Sequence, residues 1–130
     1  LTVVRPLANS EVVADWARSA GFDDIVPSNW HVTVAKTYDA VDVTTLTPDA
    51  SVLVVPASPR RLIGAWEDHR HNVQVCDYRF SHREFRIAGV GWEHCDFRPH
   101  VTIAIDDRRE LDGVVPFAGD LVFSREIWFP

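Results

Sequence analysis

The alternation of apolar and polar positions predicts a strand and then a helix at the start of the chain. Residues 1–7 (LTVVRPL) alternate and are rich in β-branched side chains, which is typical of a strand. Residues 10–20 place apolar side chains at helical spacing, and Gly21 follows them as a stop signal. Asn9 or Ser10 is the expected N-cap. The side chains expected on the buried face of this helix are Val12, Val13, Trp16, Ala17 and Ala20.

The rest of the pattern predicts mainly strands, with one further helix. Short apolar, β-branched runs predict strands at 30–36, 50–57, 60–67, 72–80 and 98–105. The polar run DHRH suggests a hairpin between the third and fourth of these. Residues 81–91 predict a short helix with Ser81 as a possible cap. The closing stretch GDLVFSREIWFP predicts one or two more strands.

A five-residue motif occurs twice. HVTVA begins at residue 31 and HVTIA begins at residue 100, and each closes a strand–helix–strand unit. A duplicated unit commonly packs around a pseudo-twofold axis, which would bring the two motif strands side by side. The sequence therefore predicts one α/β domain of the α+β kind over residues 1–130, with two lobes around a central cleft.

The motif places chemically useful groups on one face of each strand. Alternate residues of a strand share a face, so His31 lies with Thr33, and His100 lies with Thr102. Phosphodiester cleavage needs a base and an acid, and imidazole supplies either near neutral pH. A lone histidine in a strand is usually structural, but two equivalent copies favour catalysis. The near symmetry leaves open which histidine is the base.

Composition and charge limit the partners. The net charge of −6 argues against binding to long nucleic acids, which usually takes a basic face. No apolar run approaches the ~18 residues that a membrane helix needs. Two cysteines make no disulfide framework and favour a reduced, intracellular setting. The chain opens on Leu1 rather than Met, and we expect it to be cut from a longer protein.

The paired H-x-T motifs resemble those of the 2H phosphoesterase superfamily, whose members act on 2′,3′-cyclic or 2′–5′ linked nucleotides. Within it, the chain is most similar to the phage anti-CBASS phosphodiesterases, which degrade cyclic di- and trinucleotide messengers of bacterial antiphage defence. The likeness rests on stretches along nearly the whole chain, namely ANSEVVADWARSAGF, HVTVAKTYDAVD, GVGWEHCDFRPHVTIAID and FAGDLVFSREIWF.

The resemblance implies a catalytic set of His31, Thr33, His100 and Thr102. It implies cleavage of 3′–5′ bonds of a small cyclic oligonucleotide through a 2′,3′-cyclic phosphate, in the host bacterial cytoplasm. No metal or other cofactor, membrane or long nucleic acid is expected to take part. The alternatives are an RNA-processing enzyme that opens 2′,3′-cyclic phosphates or acts on 2′–5′ links, and a non-catalytic nucleotide sponge.

Three substrate-binding residues are also implied, each with a plain alternative. Glu126 matches a base-recognising glutamate or is a surface glutamate between strands. Trp66 stacks on a base or belongs to the core. Lys36 contacts a phosphate or is exposed at a strand end. The family often has tyrosine in place of Thr2 and Lys36, which leaves the base preference open.

A second cluster of potential ligands suggests a zinc site only weakly, because its spacing fits no standard zinc pattern. Its histidines at 69 and 71 are better explained as a polar turn. The members of the cluster are His69, His71, Cys76, His94 and Cys95.

Overall fold

A computed structural model describes residues 1–42, 44–65, 70–75, 80–92, 97–105 and 110–130. Its elements in chain order are β1 (Thr2–Pro6), α1 (Ser10–Ser19), β2 (His31–Lys36), β3 (Leu53–Val55), β4 (Leu62–Ala65), β5 (His71–Gln74), α2 (His82–Ile87), β6 (His100–Ala104), β7 (Leu121–Phe123) and β8 (Ile127–Phe129). The fold is mixed α/β and mostly antiparallel. Within the described ranges, neither helix is long and apolar enough to cross a membrane.

The main sheet has six strands in the order β4-β5-β6-β2-β1-β8, and β3 pairs with β7 in a separate two-stranded sheet. The motif strands β2 and β6 are central neighbours. Outside them lie β1 and β5, the first strands of the two strand–helix–strand units. The predicted hairpin of β4 and β5 is present. The two-lobed phosphoesterase fold itself stays a prediction.

One face of the sheet carries the core. Val73 pairs with Val101, and Val101 pairs with Val32, so these three buried side chains form a row across the central strands. Phe85 of α2 is buried as well. Because strand side chains alternate, the residues on either side of each valine lie on the opposite face.

A β-bulge in β2 changes which residues share its open face. Lys36 pairs with Thr2, Ala35 with Val3, and Thr33 with Val4, so Val34 is the extra residue. Without the bulge, Thr33 and Lys36 would point to opposite faces. The bulge therefore brings Lys36 to the face that carries Thr33.

The helix starts differ from prediction in how their polar side chains are used. Asn9 and Ser81 are the N-cap residues, but neither makes a side-chain cap hydrogen bond. Asn9 Nδ2 instead donates to the carbonyl of Asp120 at 2.9 Å, and its Oδ1 accepts from the Val122 N–H at 3.0 Å. These bonds attach the start of α1 to β7.

The buried face of α1 is narrower than predicted. Val13 and Ala17 are buried, whereas Val12 is 54% exposed, so its assignment to the buried face was wrong. The helix ends at Ser19, and Gly21 has a positive φ of 90° that glycine adopts without strain.

Candidate active site

The register of the central strands brings the two motifs together. Val32 pairs with Val101 in an antiparallel ladder, so His31 lies opposite Thr102 and His100 lies opposite Thr33. All four side chains point to the face opposite the buried valines, and all four are partly exposed. The histidines are diagonal neighbours, a relation that separates Cα atoms by about 7–8 Å. Both imidazoles are therefore within reach of one phosphate group.

Each histidine makes the same local hydrogen bond. His31 Nδ1 lies 2.7 Å from the carbonyl oxygen of Asn29, and His100 Nδ1 lies 2.8 Å from that of Arg98. A carbonyl can only accept, so Nδ1 is the donor in both rings. Nε2 is therefore the ring nitrogen that can exchange a proton with a substrate in each case. The bond persists whether the ring is neutral or protonated, so it suits both a base and an acid.

The backbone before each histidine is shaped to present that carbonyl. Asn29 has a positive φ of 65°, a conformation that asparagine adopts more readily than most residues. Before His100 stands Pro99, which is buried and fixes the local backbone. The two copies thus reach the same hydrogen bond by different local means.

A third histidine, His82, contacts the first motif strand. It is the first residue of α2, and its Nδ1 donates to the carbonyl of Val34, the bulged residue of β2, at 2.7 Å. Its ring stacks on Phe97 with centroids 3.9 Å apart and meets Trp92 edge-on at 5.0 Å. His82 thus connects the first motif strand to the segment that leads into the second.

Burial lowers the pKa of His82 from its usual value, and the positive charge of Arg86 lowers it further. The hydrogen bond to Val34 works in the opposite direction. The neutral ring, with its proton on Nδ1, is therefore favoured in the folded protein. No local sequence signal identifies this role, because it depends on the bulge.

Lys36 lies on the same face as the motifs, at the end of β2. Its Nζ is 5.4 Å from the centre of the Tyr38 ring, a cation–π arrangement. The side chain is partly buried. A phosphate contact by Lys36 stays a prediction.

Glu126 is not a surface residue between strands, so that alternative was wrong. It is 6% exposed, and both carboxylate oxygens accept hydrogen bonds from protein groups. Oε1 accepts from the Asp49 N–H at 3.1 Å and from Trp128 Nε1 at 3.1 Å, and Oε2 accepts from Ser81 Oγ at 2.9 Å. A nucleobase that binds to Glu126 would have to share its carboxylate with these donors or displace one of them. Base recognition by Glu126 stays a prediction.

Several predicted residues lie outside the described part of the chain. Trp66 is among them, as are four members of the suggested zinc cluster, His69, Cys76, His94 and Cys95. His71 is described, and its assignment to a polar turn was wrong. It is a buried residue of β5, and Phe22 packs edge-on against its ring at 5.4 Å.

Comparison with known proteins gives the family. The family model described as "Anti-CBASS protein Acb1" matches residues 2–130 of this chain. The chain belongs to the anti-CBASS protein Acb1 family. The Acb1 match includes both H-x-T motifs and confirms the resemblance to anti-CBASS proteins, while placement in the 2H phosphoesterase superfamily stays a prediction.

An Acb1 relative shows the same likeness. A protein of Caulobacter sp. (strain RHG1), named "Anti-CBASS protein Acb1", is 31% identical over 137 residues. The aligned part covers 98% of this chain and 22% of that protein. The chain therefore spans about a fifth of the length of the curated Acb1 relative that it matches.

Proposed function

We propose that this chain is a metal-independent phosphodiesterase that cleaves 3′–5′ bonds of cyclic di- and trinucleotide messengers. The observation that carries the proposal is the pair of imidazoles on neighbouring central strands, each with Nδ1 bound to the carbonyl two residues before it. Membership of the anti-CBASS protein Acb1 family supports a role in evading antiphage immunity in the host bacterial cytoplasm. The proposal includes membership of the 2H phosphoesterase superfamily.

The first step is attack by a ribose 2′-hydroxyl on the adjacent phosphorus. One histidine accepts the hydroxyl proton at Nε2 as the new P–O2′ bond forms. The other, protonated at the start, gives its Nε2 proton to the departing 5′-oxygen as the P–O5′ bond breaks. The products of this step are a 5′-hydroxyl and a 2′,3′-cyclic phosphate. The base is left protonated and the acid neutral, so their roles can reverse when water opens the cyclic phosphate.

The threonines provide neutral hydrogen-bond donors. Thr33 lies opposite His100, and Thr102 lies opposite His31, so each hydroxyl is beside the imidazole of the other motif. Donation to the non-bridging phosphate oxygens stabilises the charge that builds there during attack. Both proton transfers belong to imidazole, so the reaction needs no cofactor. Lys36 at the end of β2 adds a positive charge that can offset the negative charge of the phosphate.

The charge of the protein favours a small substrate. A net charge of −6 repels a long polyanion, whereas a cyclic di- or trinucleotide carries only two or three phosphates. Long RNA as a substrate would be favoured by a basic groove. The negative net charge therefore favours this proposal over a general RNA-processing enzyme.

The test is incubation of the protein with a panel of cyclic di- and trinucleotides in EDTA, with products identified by mass spectrometry. We expect linear products and a transient 2′,3′-cyclic phosphate, with turnover unchanged by the chelator. His31→Ala is the inactive control. Loss of turnover in EDTA with recovery on adding zinc or manganese would replace the mechanism by a metal-dependent one.

Other substrates separate the alternatives. RNA ending in a 2′,3′-cyclic phosphate and a 2′–5′ linked dinucleotide belong in the same panel. Faster turnover of these than of every cyclic oligonucleotide would favour RNA processing. Tight binding of a cyclic oligonucleotide without any cleavage would favour a sponge.

A further inference from the structure

The two histidines differ in their outer neighbours. Gln74 of β5 pairs with His100, whereas Pro6 of β1 holds the corresponding place beside His31. Cross-strand partners share a face, so both neighbours flank the same site. One side of an otherwise symmetric pair of motifs therefore carries a carboxamide, and the other carries an apolar ring.

The carboxamide of Gln74 lies across the next strand rather than over its own partner. Gln74 pairs with Leu62 of β4, but its Nε2 is positioned over Gly64, two residues further along. A Cβ added to Gly64 would lie 2.5 Å from that Nε2, closer than such atoms approach in real structures. The absence of a side chain at Gly64 thus allows Gln74 to lie in this position. The carboxamide makes no hydrogen bond within the described residues, so its donors and acceptor are available there.

A second carboxamide lies on the same face of β5 as the first. Asn72 pairs with Thr102 on one side and with Gly64 on the other, and it is 0% exposed. Its Nδ2 makes only a long contact of 3.4 Å with the carbonyl of Arg70, and its Oδ1 has no hydrogen-bond partner in the described part of the chain. A buried acceptor without a donor is rare in a folded protein. Within the described residues, the Asn72 carboxamide on the same face as Gln74 therefore has an unused acceptor.

A carboxamide offers a donor and an acceptor side by side, and this pair complements the edge of a nucleobase that presents an acceptor next to a donor. We propose that Gln74, held over Gly64, is the residue that discriminates between bases on the β4–β5 side of the site. This inference rests on the proposed function, since it concerns the nucleotide whose phosphate lies between the histidines. The β1 side, with Pro6, packs against its nucleotide without reading a base edge.

Two variants remove the contact in different ways. Gln74→Leu keeps a side chain of similar shape but has no amide. Gly64→Ala keeps the amide but places a methyl group where Nε2 now lies, so the flexible carboxamide must move. Gly91→Ala is the matched control, because among the described residues a Cβ at Gly91 would meet only Thr37 Oγ1, at an ordinary 3.9 Å. Each variant is first checked for an unchanged cooperative thermal transition.

The measurement is kcat/KM for cyclic dinucleotides that differ in one base, taken as the ratio between the best and the worst substrate. We expect Gln74→Leu and Gly64→Ala each to reduce that ratio by about tenfold, the order of a lost bidentate base contact, mainly through KM. Gly91→Ala should leave it unchanged. Because both changes act on one contact, the double variant should be no less selective than Gln74→Leu alone.

The outcomes distinguish this inference from the proposed function. An unmodified protein that cleaves the panel, with the same base ratio in Gln74→Leu, would overturn the role of Gln74 and leave the enzyme activity standing. An unmodified protein that binds but does not cleave would overturn the activity, and the ratio of dissociation constants would then test Gln74. A protein that neither binds nor cleaves the panel would overturn both.

Discussion

At the scale of single residues, each motif histidine uses Nδ1 in a hydrogen bond to the backbone, which leaves Nε2 as the ring nitrogen for the proposed proton transfer. His31 and His100 make equivalent bonds from Nδ1, so neither has an evident preference for the role of base or acid. Their cross-strand neighbours differ, since Pro6 pairs with His31 and Gln74 pairs with His100. In the proposed mechanism, we therefore expect the bound substrate to help decide which histidine acts as the base.

The first prediction concerns the two histidines. His31→Ala and His100→Ala should each reduce the single-turnover rate of cleavage by at least about 10²–10⁴-fold, because each removes a proton-transfer group. The double variant should be little slower than the slower single variant, since the groups act as one unit. Binding of the substrate, measured separately by calorimetry, should persist. A His31→Ala protein within a few-fold of the unmodified rate would contradict the mechanism.

The second prediction concerns His82 and pH. Because its pKa is lowered in the folded protein, the folded state takes up a proton at lower pH than the unfolded chain does. The contribution of His82 to stability is therefore fully present above its unfolded pKa of about 6.5 and decreases as the pH falls toward the folded pKa. His82→Gln keeps a donor for Val34 but does not titrate. We expect the variant to lose less stability than the unmodified protein over this interval, in urea unfolding followed at several pH values.

The two proteins should be compared as differences from their own stability at pH 8, so that a constant cost of the substitution cancels. Parallel loss of stability in both proteins between pH 7 and pH 5 would show that other groups dominate the pH dependence.

At the scale of elements, each motif strand carries the polar residues of the candidate site on one face and buried core residues on the other. In β6, His100 and Thr102 point to the site, whereas Val101 and Ile103 point to the core. The alternation of a strand makes this possible within five residues. A substitution on the core face of a motif strand can therefore change the stability of the protein without replacing a residue of the candidate site.

The third prediction uses that separation. Ile103 is 0% exposed, and Ile103→Ala should reduce the free energy of unfolding by about 2–5 kcal/mol because it removes buried apolar volume. Ile105 is 47% exposed, so Ile105→Ala is the matched control and should change it by about 0.5 kcal/mol or less. Chemical denaturation of both variants checks the difference. Equal effects at the two positions would contradict the packing of β6.

At the scale of the whole molecule, the carboxylate of Glu126 joins three distant segments. It holds the Asp49 N–H before β3, the Ser81 hydroxyl at the start of α2, and the Trp128 indole in β8. Arg5 strengthens the same region, since its guanidinium binds the Asp49 carboxylate at 2.7 Å and the carbonyl of Ser51 at 2.9 Å. These hydrogen bonds give a structural reason for the buried carboxylate, whatever its part in substrate binding.

The fourth prediction tests Glu126 without substrate. Glu126→Leu should destabilise the protein by about 1–3 kcal/mol for each buried donor that it orphans. Glu126→Gln should cost much less, because its carbonyl can accept at the Oε1 position and its amide can donate to Ser81 Oγ. Glu84→Gln, on the exposed surface of α2, is the control. Urea unfolding would contradict this role if the leucine and glutamine variants were equally stable.

Much of this arrangement follows from local sequence patterns. Two-residue alternation predicted the motif strands and the face that carries each histidine, and the duplication of the motif predicted that the strands are neighbours. Helical spacing predicted α1, and α2 occupies the first part of the helix predicted at 81–91. These features depend on periods of two and 3.6 residues, which are present in the chain before any long-range contact forms.

The remaining features were decided by tertiary packing. The bulge at Val34 depends on the partner strand β1, and it alone brings Lys36 to the site face and offers a carbonyl to His82. Two of the three donors to the buried carboxylate of Glu126, Asp49 and Ser81, come from segments far away in sequence. Gln74 lies over Gly64 only because β4 pairs with β5 in one register. By itself, the sequence determined the repeated motif and its polar face, whereas contacts between distant segments decided what surrounds that face, because no local period encodes them.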